Sequence, residues 1–361
     1  GVVAHRLLAR LAEGRWADAV RDDVDLLLRG LPGNVTTEMD LEVGDLTDQA
    51  RLHGVESEAF KTALESFLVK YGDRGVGEID MSRPRWRDDP SVLLRVIAGG
   101  LKAGEAGGHR KHHRAQVEQG EAAVSRLIAA AGRGFGGTVR RFLVSRLSRV
   151  ARAGMGLREH PKFMLVRILG VIRAEALAAG DILVGRGQLD RPSQVFHLGF
   201  DELACALDDA SIDLRAEAAS REEQLRRDAA RKPPVVISSD GETPTLEVDR
   251  ADLPAGALPG TAASNGVIEG VAHVVRDPDR EVLQAGEILI APFTDPGWTP
   301  LFVNAAGVVT EVGGLMTHGA VVAREYGIPA VVSVQGATER IRTGQRVRVD
   351  GTRGFVEILG D

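Results

Sequence analysis

Apolar residues along this chain keep a helical period through roughly the first 230 positions and then change to short runs cut by turn residues. Over 1–30, Leu7, Leu8, Leu11, Trp16, Val20 and Leu26 to Leu28 recur at spacings of three, four and their sums between Arg and Asp residues, which predicts an amphipathic helix. Pro32 and Gly33 interrupt it, and Thr36 or Thr37 is placed to cap a second helix running through Leu41, Val43, Leu46 and Thr47. Phe60, Leu64, Phe67 and Leu68 predict a helix over 57–70. Residues 101–120 are polar, with three His in the run His109 to His113, and read as a solvated loop or helix face. Arg-rich 139–157 around Phe142, Leu143, Leu147 and Val150 forms a basic amphipathic helix, and Met164 to Arg173 continues into a long bundle helix. Gly187 to Leu198 reads as a turn and a short extended segment, Asp201 opens another helix, and 211–232 is a charged helix laced by i,i+4 pairs.

From Lys232 to about Ser264 the chain is rich in Pro, Gly, Asp and Thr, the composition of a semi-stiff linker. Beyond it lie six strand-like runs: Gly266 to Val275, Ile288 to Ala291, Val308 to Thr310, Ala330 to Val334, Arg346 to Val349 and Phe355 to Leu359. Asp277-Pro278, Gly286-Glu287, Asp295-Pro296-Gly297, Thr343-Gly344 and Asp350-Gly351 punctuate them, and helices are expected near Pro300 to Ala305 and Thr317 to Tyr326. The expected architecture is multi-domain: a mostly α-helical domain over 1–231, a linker over 232–264, and a β-rich α/β domain over 265–361.

The most informative stretch is Glu311-Val312-Gly313-Gly314-Leu315-Met316-Thr317-His318-Gly319-Ala320, followed by a short apolar helix that ends at Gly327 and Pro329. Thr317 is a good N-cap, Gly327 a good C′ residue, and Pro329 blocks continuation. His318 then falls at the first helical position, where free backbone N–H groups and the helix dipole favour an anion. An imidazole in such a Gly-lined, donor-rich spot suits a nucleophile that takes and gives a phosphoryl group. The pattern Gly313-Gly314-x-x-Thr317-His318-Gly319-Ala320-x-x-Ala323-Arg324-Glu325-x-Gly327-Ile328-Pro329 resembles the phosphohistidine motif of the phosphoenolpyruvate-utilising enzymes, which include phosphoenolpyruvate synthase, pyruvate phosphate dikinase and the rifampicin phosphotransferases. The variant here, with Thr317 beside the His, is most similar to the rifampicin phosphotransferases. The resemblance implies that 265–361 is a swivelling phosphohistidine domain, with Thr317 and Gly319 among the groups that hold the phosphoryl group.

Three further stretches carry candidate chemistry. Arg158 and Lys162 stand four apart at a helix start in Arg158-Glu159-His160-Pro161-Lys162; they read as surface cations or as a phosphate clamp. Arg74, Glu78 and Asp80, in the Gly-interleaved segment Tyr71 to Asp80, read as a loop tied by Arg–carboxylate pairs or as the wall of a polar site. Asn34, Glu38 and Met39 lie in a polar, Gly-containing segment between two helices. All three stretches are similar to segments of the rifampicin phosphotransferases, so the resemblance implies a helical substrate domain whose cations face the docked phosphohistidine. Glu38, Glu78 and Asp80 are alternative bases for an acceptor hydroxyl.

Composition narrows the reading. The chain has 361 residues, 43% hydrophobic but only 4% aromatic, enough for a core in two or three domains. A net charge of −6 makes no general case for nucleic acid or membrane partners. A lone cysteine, Cys205, fits a reducing, cytoplasmic setting. No ligand set points to a metal, and no Walker-type loop is present. In the resembled family a separate ATP-grasp domain binds ATP and Mg²⁺, charges the His, and the carrier delivers the phosphoryl group to a hydroxyl of a rifamycin antibiotic, yielding AMP and phosphate. The expectation is a phosphotransferase part that binds no cofactor itself. It would rely on an ATP-grasp domain in cis or in trans and would not use ATP alone. Beginning at Gly1 rather than Met fits a fragment or a processed form. Two alternatives stay open: a phosphoenolpyruvate synthase-like enzyme acting on a small acid, and a phosphocarrier or regulatory protein.

Overall fold

The computed structural model describes residues 2–11, 21–101, 106–133, 136–231, 237–242, 253–254, 256–278 and 280–360. Trp16 and Val20 of the first expected helix, and 232–236, 243–252 and 255 of the expected linker, lie outside them. The helical half comprises α1 (Val2–Leu11), α2 (Arg21–Leu26), α3 (Val35–His53), α4 (Glu58–Tyr71), α5 (Ser91–Leu101), α6 (Gly108–Ala131), α7 (Gly137–Gly156), α8 (His160–Gly185), α9 (Phe200–Asp208) and α10 (Arg215–Ala229). Among the described residues no helix is long and apolar enough to cross a membrane.

Local chemistry explains most boundaries. Ser57 caps α4 by accepting from Phe60 N. The cap of α3 is Asn34, whose side chain accepts from Thr36 N, rather than Thr36 or Thr37; an Asn in extended conformation captures the free N–H two residues on, and both threonines are then inside the helix. The run His109 to His113 is not a loop but lies in α6, where His109 and Arg110 both engage Asp45 of α3. Pro192–His197 is a 3-10 turn rather than an extended segment, fixed by the buried Gln194, whose side-chain oxygen accepts from the N–H groups of Asp190 and Arg191.

The β-rich half contains β1 (Leu258–Pro259), β2 (Thr261–Ser264), β3 (Val267–Val274), β4 (Glu287–Ala291), α11 (Thr299–Phe302), β5 (Ala305–Thr310), α12 (His318–Tyr326), β6 (Ala330–Val332), α13 (Ala337–Arg340), β7 (Arg346–Asp350) and β8 (Phe355–Gly360). The strands form an eight-stranded sheet in the order β1-β8-β7-β3-β4-β5-β6-β2, parallel from β3 to β6 and antiparallel elsewhere. β4 is buried along Ile288 to Ala291, the continuous apolar run of a central strand covered on both faces. β1 and β2 correct the linker expectation. Pro- and Gly-rich composition hides them, because their place depends on backbone pairing with β8 and β6. The helix expected over Pro300 to Ala305 comes earlier, as a 3-10 turn at Pro296–Trp298 and then α11, with Ala305 already in β5.

The chain divides into two compact units, one of Gly1–Val76, Arg85–Phe163 and Val248–Asp361, the other of Gly77–Pro84 and Met164–Glu247. This partition cuts across the expected one, and the core of the first unit gives the reason. Met39 and Val43 of α3, Phe67 of α4 and Ile97 of α5 share one apolar cluster with Trp298, Phe302 and Val322 from the β-rich half. At about 1.5–3 kcal/mol per fully buried large apolar side chain, such a cluster holds the two halves of the unit together. A second cluster around Ile288, Ile290, Val309, Val331 and Val349 fills the sheet. The other unit has its own small core around Leu183, Leu189, Val195, Leu214 and Ala218.

Candidate functional site

α12 keeps the punctuation of its sequence. Thr317 occupies the N-cap and His318 the first helical position; Gly327 adopts φ 69° at the C-cap, and Ile328 N donates back to Ala323 O at 2.8 Å. The Thr317 hydroxyl donates to Gly314 O at 2.8 Å instead of capping the helix, so it fastens the Gly313-Gly314 loop. Ser333, a non-glycine residue at φ 60°, donates to Gly313 O at 2.7 Å, and the Arg324 guanidinium donates to Leu315 O. The loop ahead of His318 is therefore held at three points, one of them bearing backbone strain of the kind that persists at functional sites. Gly319 permits a close approach: a Cβ there would meet Thr294 Oγ1 at 2.3 Å. Gly319→Ala is expected to cost about 1–3 kcal/mol, read by urea unfolding; an unchanged unfolding midpoint would mean that Thr294 simply turns away.

The imidazole of His318 is 10% exposed and makes two polar side-chain contacts among the described residues. Nε2 lies 2.8 Å from Oγ1 of the buried Thr299, and that hydroxyl also reaches Pro296 O at 2.7 Å. Nδ1 lies 3.3 Å from Glu159 Oε2, an ion-pair contact. Thr299 has one hydrogen for two acceptors. When that hydrogen turns from Pro296 to Nε2, the neutral ring carries its proton on Nδ1 toward Glu159 and presents its lone pair at Nε2.

Glu159 is buried beside Arg158, whose Nη2 stands 2.7 Å from Glu159 Oε1. Burial pushes this carboxyl up, but His318 together with the charges of Arg158 and Arg74 outweighs it and holds the group down at about 2. Arg158 Nη1 also donates to Met316 O at 2.9 Å, so one guanidinium binds both Glu159 and the loop before His318. Lys162 lies in the first turn of α8, half-buried. Arg74 is fully buried with its guanidinium 5.0 Å over the Phe163 ring.

The sequence-derived candidates thus separate. Thr317, His318, Gly319, Arg158 and Arg74 converge on one site. Asn34 and Met39 are buried at the base of α3, Met39 inside the shared apolar cluster and Asn34 with its amide on Glu325. Neither side chain is exposed as a ligand wall would be. Glu38 is exposed on α3. Glu78 is buried, while Asp80 is exposed and accepts from Ser82 N and Oγ at 2.9 and 2.7 Å, the bonds of a turn rather than of a poised base. Thr299, Glu159 and Ser333 are the members sequence reading did not single out. Glu159 sat unremarked inside the Arg158–Lys162 motif, and Thr299 follows a turn signal that named only Asp295, Pro296 and Gly297.

Residues 1–159 match the family model for the rifampicin phosphotransferase fourth domain, and residues 283–354 match that for the mobile domain of PEP-utilising enzymes. Over these stretches the chain is similar to the rifampicin phosphotransferase-like PEP-utilising enzymes. The rifampicin phosphotransferase of Streptomyces sviceus is 40% identical over 94% of this chain and 41% of its own length. That of Bacillus subtilis is 37% identical over 94% of this chain and 42% of its own length. The chain therefore spans about two fifths of these relatives. The His318 motif falls within the matched mobile domain, and Arg74, Arg158 and Glu159 fall within the matched fourth domain.

Proposed function

We propose that this chain is the acceptor-binding and carrier part of a dikinase-type phosphotransferase. In this reading His318 Nε2 takes a phosphoryl group and passes it to a hydroxyl of a rifamycin-like antibiotic. The observation that carries the reading is the His318 ring itself, held at a helix start with Nδ1 on Glu159 and Nε2 on a hydroxyl that can turn toward it. ATP and Mg²⁺ belong to an ATP-grasp domain acting in cis or in trans. The identity of the acceptor draws on the names of the relatives.

The chemistry follows from the contacts. In the charging step the Nε2 lone pair forms the N–P bond, and the donor's leaving group departs with the electron pair of the bond that breaks. Backbone N–H groups at the start of α12 and Arg158 offset the dianionic charge. In the transfer step a protonated Nδ1 makes the phosphoimidazole a cation, the better leaving group. The N–P electrons return to Nε2, the ring departs as the neutral Nδ1–H tautomer, and the acceptor oxygen bonds to phosphorus while its proton passes to water. Glu159 favours that Nδ1 proton. Because Glu159 comes from the helical half and His318 from the sheet half, the phosphohistidine is most reactive only while docked.

Calorimetry with rifampicin tests the acceptor. Micromolar binding to this chain, weakened about tenfold or more in Lys162→Ala, is the expected result. A folded chain that takes up no rifampicin at saturating drug would overturn the antibiotic assignment and leave the carrier chemistry of His318 with another acceptor, a small acid among them.

A further inference from the structure

The segment Asn34 to Asp40, read from sequence as a ligand-facing stretch, meets the far end of the phosphohistidine helix. Asn34 Nδ2 donates to Glu325 Oε2 at 2.5 Å and Thr37 Oγ1 donates to Glu325 Oε1 at 2.7 Å. The Tyr326 phenol donates to Asp40 Oδ2, and His112 Nε2 of α6 reaches Tyr326 O at 2.8 Å. Asn34, Thr37, Asp40 and Glu325 are each at most 5% exposed. The three bonds from Asn34, Thr37 and Asp40 join residues 286 to 291 positions apart, so they fix neither α3 nor α12 by itself. They fix one helix against the other.

We propose that Asn34, Thr37 and Asp40 form a seat for Glu325 and Tyr326 which sets the register of the carrier on the helical half, so that His318, two turns away on the same helix, meets Glu159. These five are positioning residues, and the proposal rests on the His318 reading above for what the register serves. The seat is polar and buried. Apolar packing alone, as in the cluster that contains Phe302 and Ile97, tolerates sliding, whereas a carboxyl with two directed donors does not. A seat of this kind must also open without unfolding the carrier, since the matched family model is that of a mobile domain.

The seat is coupled to protons. Burial raises Glu325 to about 7, against the donors Asn34 and Thr37 that lower it, and the Glu159 charge raises it further. Asp40 is likewise pushed well above its usual range, by burial first. The other charged and titratable groups acting here are Tyr326, Arg152 on Glu325, and Arg74 on Asp40. A carboxyl whose docked value lies above its free value binds a proton on docking. Docking is therefore strongest below the free value of 4.5 and weakens as pH rises toward about 7.

Amide hydrogen exchange read by mass spectrometry on the whole chain tests this, with each variant compared to the parent at the same pH so that intrinsic exchange cancels. Asn34→Ala and Thr37→Val are expected to speed exchange tenfold or more in 35–41 and 319–326 and to leave β4 and β5 unchanged. Glu325→Gln, which keeps the shape of the seat and leaves Asp40 as its remaining raised carboxyl, is expected to lose less protection from pH 5 to 8 than the parent does over that range. Unchanged exchange in both α3 variants overturns the seat, as does equal acceleration in β4 and β5. A Glu325→Gln profile that tracks the parent across pH overturns the coupling. Direct chemical phosphorylation of His318 by phosphoramidate, measured in the same samples, separates the two readings: its absence refutes the carrier chemistry without touching the exchange result.

Discussion

His318→Gln is expected to abolish phosphorylation of the chain outright. Incubated with phosphoramidate, a small donor that needs no ATP site, the parent should gain one acid-labile, alkali-stable phosphoryl group, seen as a mass increment at alkaline pH. The variant should gain none. The argument is one of sites. A nitrogen nucleophile must present a lone pair next to groups that hold an anion, and His318 does so at the start of α12 beside Arg158. Of the other histidines, His109 pairs with Asp45 and Asp48, His112 reaches the Tyr326 carbonyl, and His273 pairs with Glu287. Folding should survive, because the ring contributes only its contacts to Thr299 and Glu159 and little of the surrounding apolar core. A variant that still takes up a full equivalent of acid-labile phosphate, with its unfolding midpoint unchanged, would move the nucleophile elsewhere.

The sequence revealed this site where its signals were local. Thr317, His318, Gly327 and Pro329 spell out the start and stop of α12 within thirteen positions, and helix punctuation depends on nearest neighbours. The strands from β3 to β8 were legible for the same reason, as apolar runs between turn residues. What stayed hidden depends on pairing across the chain. β1 and β2 exist because β8 and β6 accept them. Asn34 was a candidate ligand residue because a polar, Gly-containing segment looks the same whether its partner is a small molecule or a glutamate 291 positions away. The shared core was hidden likewise: apolar periodicity tells that α3 and α12 each bury a face, not that they bury it in one common core.

Glu159→Gln should slow transfer from phosphorylated His318 to its acceptor on the order of 100-fold, about 2.7 kcal/mol in the barrier, with little change in acceptor KM. The amide keeps the volume and a contact to Nδ1 but removes the charge that keeps a proton there. The phosphoimidazole then leaves as an anion-like base rather than as the neutral Nδ1–H ring. Single-turnover decay of the phosphorylated chain with acceptor separates this loss from weaker binding. A rate within threefold of the parent would mean that Glu159 merely neutralises Arg158. The pH dependence adds a second check, and its sign is opposite to that of Glu325. Glu159 is held down at about 2, below its ordinary 4.5, so its contribution is complete above pH 4.5 and is lost as pH falls through about 2. Glu325 favours docking most below 4.5 and least above about 7. Around neutrality the docked carrier therefore has its activating charge in full while its seat is near the weak end of its range. A carrier that must be activated on docking and then let go is served by that combination.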